Sequence, residues 1–381
     1  MRAIVVGAGA WGLPAAAELQ ARGHDVTLVD RYGVGNTFAS SSGPTRLWRF
    51  ADPDPVKVRL MRRGLAAMER LEQRSGRRVF VRRGLLWRDD AGLDRLAGTL
   101  ADESVEHTLV DAADVERFFP GLRPDGRGAV WTPDGGSVLA AESLIAQAAL
   151  FDAYGGITVF GRVVVAVERS GPRPRVVLAD GGVLEGDVVV LAPGPGASAL
   201  LGGLGVDLPL LPVLEQVVHV GDPAAPHLTD DLPGLVDAPR GEEPGIYAMP
   251  TPGVGYKIGI DDAIRDWYDG DLDRTPSASR TRETIDRVVR DLPGIAPNVI
   301  DAAVCSWTAS PDGRFVVDAL DGAVVLACGD SGSGFKFSAV MGLVLADLVE
   351  GREPDADVAS LGLARFAGAP PRAVPRSLFD V

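Results

Sequence analysis

Six residues near the start constrain this chain more than any others: Gly7-Ala8-Gly9-Ala10-Trp11-Gly12. They follow a short apolar run, residues 3–6, and open a helix-prone stretch, residues 10–22, that ends at Gly23. In the pattern G-x-G-x-x-G the first glycine permits a tight turn, the second lets a pyrophosphate approach the backbone, and the third lets the helix pack closely. The helix N-terminus then offers free N–H groups and the positive end of its dipole to the phosphates. A second strand over residues 25–30 ends on Asp30, where a carboxylate can hold a ribose hydroxyl. The hexapeptide alone is a weak signal, because a glycine-rich loop with no ligand has the same spelling. Strand, helix and terminal acid together predict half of a parallel, doubly wound sheet that binds a dinucleotide. FAD and NAD share the pyrophosphate and adenosine, so the turn leaves that choice open.

Two later stretches belong to the same kind of sheet. Residues 186–194 and 323–330 are apolar strands that run into glycine turns, and the second is followed by an apolar helix over 338–349. A nucleotide-binding domain assembled from distant pieces leaves the intervening chain to form something else. We therefore expect one discontinuous domain from 1–83, 141–207 and 311–381, and a second from 84–140 and 208–310. The second has strand patterns at 213–220 and 255–260. At 381 residues the chain is long enough for two such cores. The tail, 370–381, is proline-rich and is expected to wrap or fray.

Composition removes several classes of function. A formal net charge of −14 disfavours a nucleic-acid partner. No stretch approaches the roughly 20 apolar residues of a membrane span, and the N-terminus reads as a buried strand rather than a leader, so a cytoplasmic location is expected. Cys305 and Cys328 are the only cysteines, and His24, His107, His219 and His227 are scattered, which argues against a disulfide framework or a zinc site. Of 38 basic residues only Lys57, Lys257 and Lys336 are lysine. Such a preference for arginine singles out positions that need a compact, flexible charge. Lys57 lies in a helical run, 55–71, and reads as solvated surface; the other two lie in glycine-rich segments.

Beyond the glycine turn, four segments follow in order: Thr45-Arg46-Leu47-Trp48-Arg49, Gly255-Tyr256-Lys257-Ile258-Gly259, Val304-Cys305-Ser306-Trp307-Thr308-Ala309-Ser310-Pro311-Asp312, and Gly332-Ser333-Gly334-Phe335-Lys336-Phe337. Each is modest alone. In this order they resemble the monomeric sarcosine oxidase and N-methyl amino acid oxidase family, within the D-amino acid oxidase superfamily of FAD-dependent oxidoreductases, over almost the whole chain. The resemblance implies an α/β fold: an FAD-binding Rossmann-like domain of the glutathione-reductase type, with an interleaved α+β substrate-binding domain on a mixed or antiparallel sheet. It also leans towards a monomer.

Site residues carry over by position. The resemblance implies FAD attached covalently through Cys305; the alternative for a lone cysteine is a small buried hydrophobe, and Cys328 reads as core. Cofactor contacts are implied at Gly7, Gly9, Trp11, Gly12, Asp30, Arg31, Ser42, Val164, Gly194, Gly332, Gly334 and Phe335. Lys257 matches a lysine over the flavin ring that favours electron transfer to dioxygen, and Arg46 with Thr45 matches the edge of the ring. Arg49 and Lys336 match a pair that grips the substrate carboxylate, although an arginine can also be an ordinary ion-pair partner. Tyr247, Met249 and Trp307 match the pocket wall, where apolar surroundings favour the neutral amine.

Asp261 and Ser333 stand where the resembled family has histidines, and Trp307 where it has tyrosine. These departures predict a substrate other than sarcosine. Asp261 either contacts a polar or cationic part of a larger substrate or, beside Asp262, faces solvent. The resulting expectation is an FAD-dependent oxidase of a secondary, N-methyl or cyclic amino acid amine, forming an imine and reducing O2 to hydrogen peroxide. Alternatives are a flavin-dependent dehydrogenase with another acceptor, a tailoring oxidase for a larger substrate, and a catalytically silent dinucleotide-binding protein.

Overall fold

A computed structural model describes residues 1–169, 171–367, 374, 375, 377 and 379. Its first layer is a six-stranded sheet in the order Val316–Leu320, Val324–Cys328, Val188–Leu191, Arg2–Val6, Asp25–Asp30, Ile157–Phe160. All neighbours are parallel except the first pair, which is a hairpin. The central strands are apolar on both faces, as a parallel sheet covered on both sides requires. Helices Gly12–Ala21 and Ser338–Val349 pack together against one face. Their approach depends on Gly342, where a Cβ would lie 2.8 Å from the Pro14 backbone.

A second, nine-stranded mixed sheet carries most of the remaining strands. Leu211–Val220 is flanked by Val299–Ala309 along one edge and by Gly255–Ile260 on the other, both antiparallel. Ile246–Thr251 and Gly234–Asp237 continue it, and Gly234–Asp237 meets Leu85–Arg88 in parallel. A small sheet of Thr45–Trp48, Gly136–Leu139 and Phe80–Arg82 docks on the large one. Thr45 Oγ1 meets Thr251 Oγ1 at 2.6 Å, and Ser137 Oγ donates to the Pro250 carbonyl at 2.7 Å. The tail expectation lies partly outside the described residues; of 370–381 only 374, 375, 377 and 379 are described.

The helix expected over 55–71 runs Pro55–Ser75. Asp54 caps it by accepting from Val56 N, and Gly76, at φ +67°, ends it. Lys57 corrects the sequence reading: it is not solvated but 7% exposed, with Nζ 3.4 Å from the Gly313 carbonyl and 6.0 Å from the Phe315 ring centre. Segments some 250 residues later in the chain cover that face of the helix, so no local pattern could reveal it.

Candidate functional site

The glycine turn forms one end of a cleft of about 520 Å³. Gly7 has φ +102°, and a Cβ there would sit 2.2 Å from the Ala192 carbonyl oxygen; one on Gly12 would sit 1.9 Å from that of Gly7. Both positions therefore require glycine. At Gly9 the nearest neighbour of a Cβ would be Ser41 Oγ at 3.6 Å, so this stretch of backbone stays open to the cleft. The Asp30 carboxylate clasps the turn, accepting from Ala8 N at 2.8 Å, Tyr32 N at 2.8 Å and Gly33 N at 2.7 Å while still lining the cleft. Arg31, Val164 and Gly194 line the same end, and Arg31 pairs with Asp269 at 2.9 Å. Trp11 Nε1 donates to the Gly334 carbonyl at 3.0 Å, joining the first glycine turn to the last. Gly332, Gly334, Phe335 and Lys336 all reach the cleft. Gly12 and Ser42 do not line it: Gly12 packs under the turn, and Ser42 offers its carbonyl to Arg46 Nη2 at 2.5 Å.

One face of the large sheet closes the other end. Side chains alternate along a strand, so Glu215, Val217 and His219 share a face, with Gly259 and Lys257 across one edge and Cys305 and Trp307 across the other. Tyr247 and Met249 continue these rows. The Tyr247 ring passes over Gly259, where a Cβ would lie 2.3 Å from it. Glu215, Tyr247, Cys305, Trp307 and Asp261 line the cleft. Lys257, Thr45 and Met249 do not, and all three are buried. There Lys257 Nζ donates to the Thr45 carbonyl at 2.8 Å, and burial, then the nearby Arg46, lowers its pKa to about 7. Arg46 lines the cleft and donates to the carbonyls of Thr45, Ser40 and Ser42. His219, opposite Lys257, has no hydrogen-bond partner on either ring nitrogen among the described residues; burial, with Lys257 and Arg46, lowers its pKa to about 3.

Arg49 and Lys336 meet at the cleft wall. Arg49 stacks 4.7 Å from the Trp87 ring centre, pairs with buried Asp52 at 3.1 Å and donates to the Ala51 carbonyl. Burial, then Arg49, holds the Lys336 ammonium well below its usual range. Burial raises the Asp52 carboxyl, but Lys57, Arg49 and Lys336 together outweigh that and hold it low. Three buried cations thus share one carboxylate, with Lys57 an unforeseen member.

Two acids were missed in the sequence. Glu215 is 4% exposed and accepts from the Tyr247 hydroxyl and from Trp307 Nε1, the latter at 2.7 Å; burial raises its carboxyl. Its signal was a lone charge in the apolar run 213–220. Asp330 accepts from Thr308 N at 2.8 Å and is pushed by burial up to about 6. Asp261 is also 4% exposed and accepts from Ser377 Oγ at 2.5 Å, which removes the solvent-facing alternative. Ser333 is buried, and its hydroxyl has no partner among the described residues. Cys305 is half-buried, and burial raises its thiol despite Arg46 and Lys257. Cys328 is pushed by burial to about 12.

An open glycine backbone, an acid at the end of the second strand and a continuous cleft to the large sheet fit an extended dinucleotide such as FAD. Among the described residues, no group of His, Cys, Asp and Glu could hold a metal ion, and no helix is long and apolar enough to cross a membrane.

The family described as FAD dependent oxidoreductase matches residues 2–348. A peroxisomal sarcosine oxidase of Mus musculus is 28% identical, with 96% of each chain covered. A monomeric sarcosine oxidase of Streptomyces avermitilis is 29% identical, covering 91% of this chain and 92% of its own. Among solved structures, the open form of NikD, an unusual amino acid oxidase essential for nikkomycin biosynthesis, superposes with a TM-score of 0.82 at 23% identity, covering 94% of this chain and 96% of its own.

Proposed function

The chain belongs to the FAD dependent oxidoreductase family, and we propose that it is an oxidase of a small amino acid, acting at a secondary, N-methyl or cyclic amine nitrogen. The observation that carries this reading is a single cleft lined by Gly7, Gly9 and Asp30 at one end and by Arg49, Lys336 and two aromatic side chains at the other. When bound, FAD supplies the acceptor for the electrons and hydrogen leaving the C–N bond. Arg49 and Lys336 hold the substrate carboxylate, one as a planar fork and the other as a point charge. Tyr247 and Trp307 exclude water and orient the amine. The imine product is hydrolysed by water after release.

Arg46 supplies positive charge at the cleft wall, and Lys257 supplies it from behind Thr45, where it favours reduction of dioxygen to hydrogen peroxide. Cys305 is the point of covalent attachment. A monomer in the cytoplasm, with an FAD-binding part from 1–83, 141–207 and 311–381, completes the reading. Relatives bearing the name sarcosine oxidase support the amine chemistry, while Asp261, Ser333 and Trp307 argue for a substrate larger than sarcosine.

Acid precipitation tests the cofactor: a yellow pellet and an FAD mass on the Cys305 peptide are expected, and colourless protein with free FAD in the supernatant would exclude covalent attachment. An anaerobic bleaching screen over secondary and cyclic amino acids then tests the activity. Bleaching by none of them overturns it, and slow return of colour in air would exclude an oxidase.

A further inference from the structure

Glu215 belongs neither to the Arg49–Lys336 pair nor to the cations around Thr45. It is a carboxylate at the cleft wall, on the same sheet face as Cys305 and Trp307, and almost wholly withdrawn from water. Burial raises its carboxyl; Tyr247 and Trp307 both donate to it and offset part of that rise. Among the described residues no lysine, arginine or histidine nitrogen comes within the 4.0 Å of an ion pair; Lys257 and Arg280 act on it only at longer range. A buried carboxylate without a cationic partner is costly and is normally paired. Arg49 and Lys336 already give the same cleft its positive end.

We propose that Glu215 is the anionic counterpart of the Arg49–Lys336 pair and receives the cationic nitrogen of the substrate, so that the cleft selects zwitterions over plain amines or plain carboxylates. This rests on the reading of Arg49 and Lys336 as a carboxylate clamp. Apolar walls alone would reject an ammonium; a carboxylate among them reverses that preference. The two aromatic side chains that fix Glu215 also line the cleft, and aromatic neighbours suit a cation. Asp261 adds a second buried acid to the same wall.

The test uses two non-oxidisable probes of one shape on the FAD-loaded protein: glycine betaine, which carries a quaternary cation and a carboxylate, and 3,3-dimethylbutanoate, in which carbon replaces that nitrogen. Calorimetric titration of wild type is expected to show betaine bound about tenfold more tightly or better. In Glu215→Gln that ratio falls to within about threefold of unity, while 3,3-dimethylbutanoate binds as before. Should Glu215→Gln not accumulate, Glu215→Met reads the same ratio, since an apolar side chain of similar length removes the buried charge. Equal binding of the two probes to wild type, or a ratio unchanged in a folded variant, overturns the proposal while leaving the clamp intact. Failure of wild type to bind either probe overturns the clamp, and with it this inference.

Discussion

Lys257 reaches the main-chain carbonyl of Thr45 across 2.8 Å, linking residues 212 positions apart. The contact ties the large sheet to the small one and holds a buried amine that does not line the cleft. Burial and Arg46 lower the Lys257 pKa from 10.5 to about 7, so its charge is present below pH 7 and lost above it. Oxygen uptake at saturating substrate should therefore fall as pH rises through about 7. Lys257→Met should lower the rate by about 100-fold and abolish that pH step. An oxygen electrode reads both.

A depressed lysine pKa also means that the unfolded chain binds more protons between pH 7 and 10.5, so the native state gains stability as pH rises across that window. Lys257→Met removes this cost. Its melting temperature at pH 7 should equal or exceed that of wild type, which separates a charge role from a structural one.

His219 predicts acid sensitivity of the same origin. Its folded pKa is about 3 against 6.5 for an ordinary histidine. The unfolded chain takes up a proton below 6.5 that the native protein refuses until about 3, and stability falls through that interval. At pH 4.5 the loss from this residue is about 2–3 kcal/mol. Urea denaturation at pH 7 and 4.5 should show a smaller difference for His219→Leu than for wild type.

Asp52 neutralises part of the buried charge of Arg49, Lys57 and Lys336. Asp52→Asn should destabilise by about 3 kcal/mol, because three cations then lose their counter-charge. Adding Lys57→Met should recover much of the loss. Guanidinium unfolding of the single and double variants checks this, and equal stability of the two would contradict the cluster.

Gly12→Ala should cost both fold and cofactor. The added methyl meets the Gly7 carbonyl oxygen at 1.9 Å, a backbone atom that cannot swing aside. We expect about 3 kcal/mol of destabilisation and FAD retention, read from absorbance after gel filtration, well below that of wild type.

Asp261→Ala should change which amino acids bleach the protein. A buried carboxylate at the wall favours substrates with a basic or polar extension. The variant should lose rate on basic amino acids relative to neutral ones by about tenfold; identical relative rates across a panel would end that role.

Local features were legible from sequence because their causes are local. A strand, a glycine turn and a helix declare themselves within a few residues, since covalent geometry sets the two-residue and 3.6-residue repeats and only glycine meets the demands at Gly7 and Gly12. The order of the chemical motifs was likewise open to reading. Which of their side chains face the cleft was not. Lys57 looked solvated because the segments that bury it come from 313 onwards, and Thr45, Met249 and Lys257 looked equivalent to Arg46 and Tyr247 although only the latter two line the cleft.

The chain by itself determined a dinucleotide turn, a sheet assembled from distant strands and a set of residues suited to flavin and amino acid chemistry. Tertiary structure alone decided that Glu215 would sit between Tyr247 and Trp307, partners 32 and 92 positions away, that Asp261 would be buried, and that Asp52 would gather three cations. The reason is that charge and burial depend on what packs across a sheet, and strand pairing brings together residues whose separation along the backbone carries no trace of their final distance.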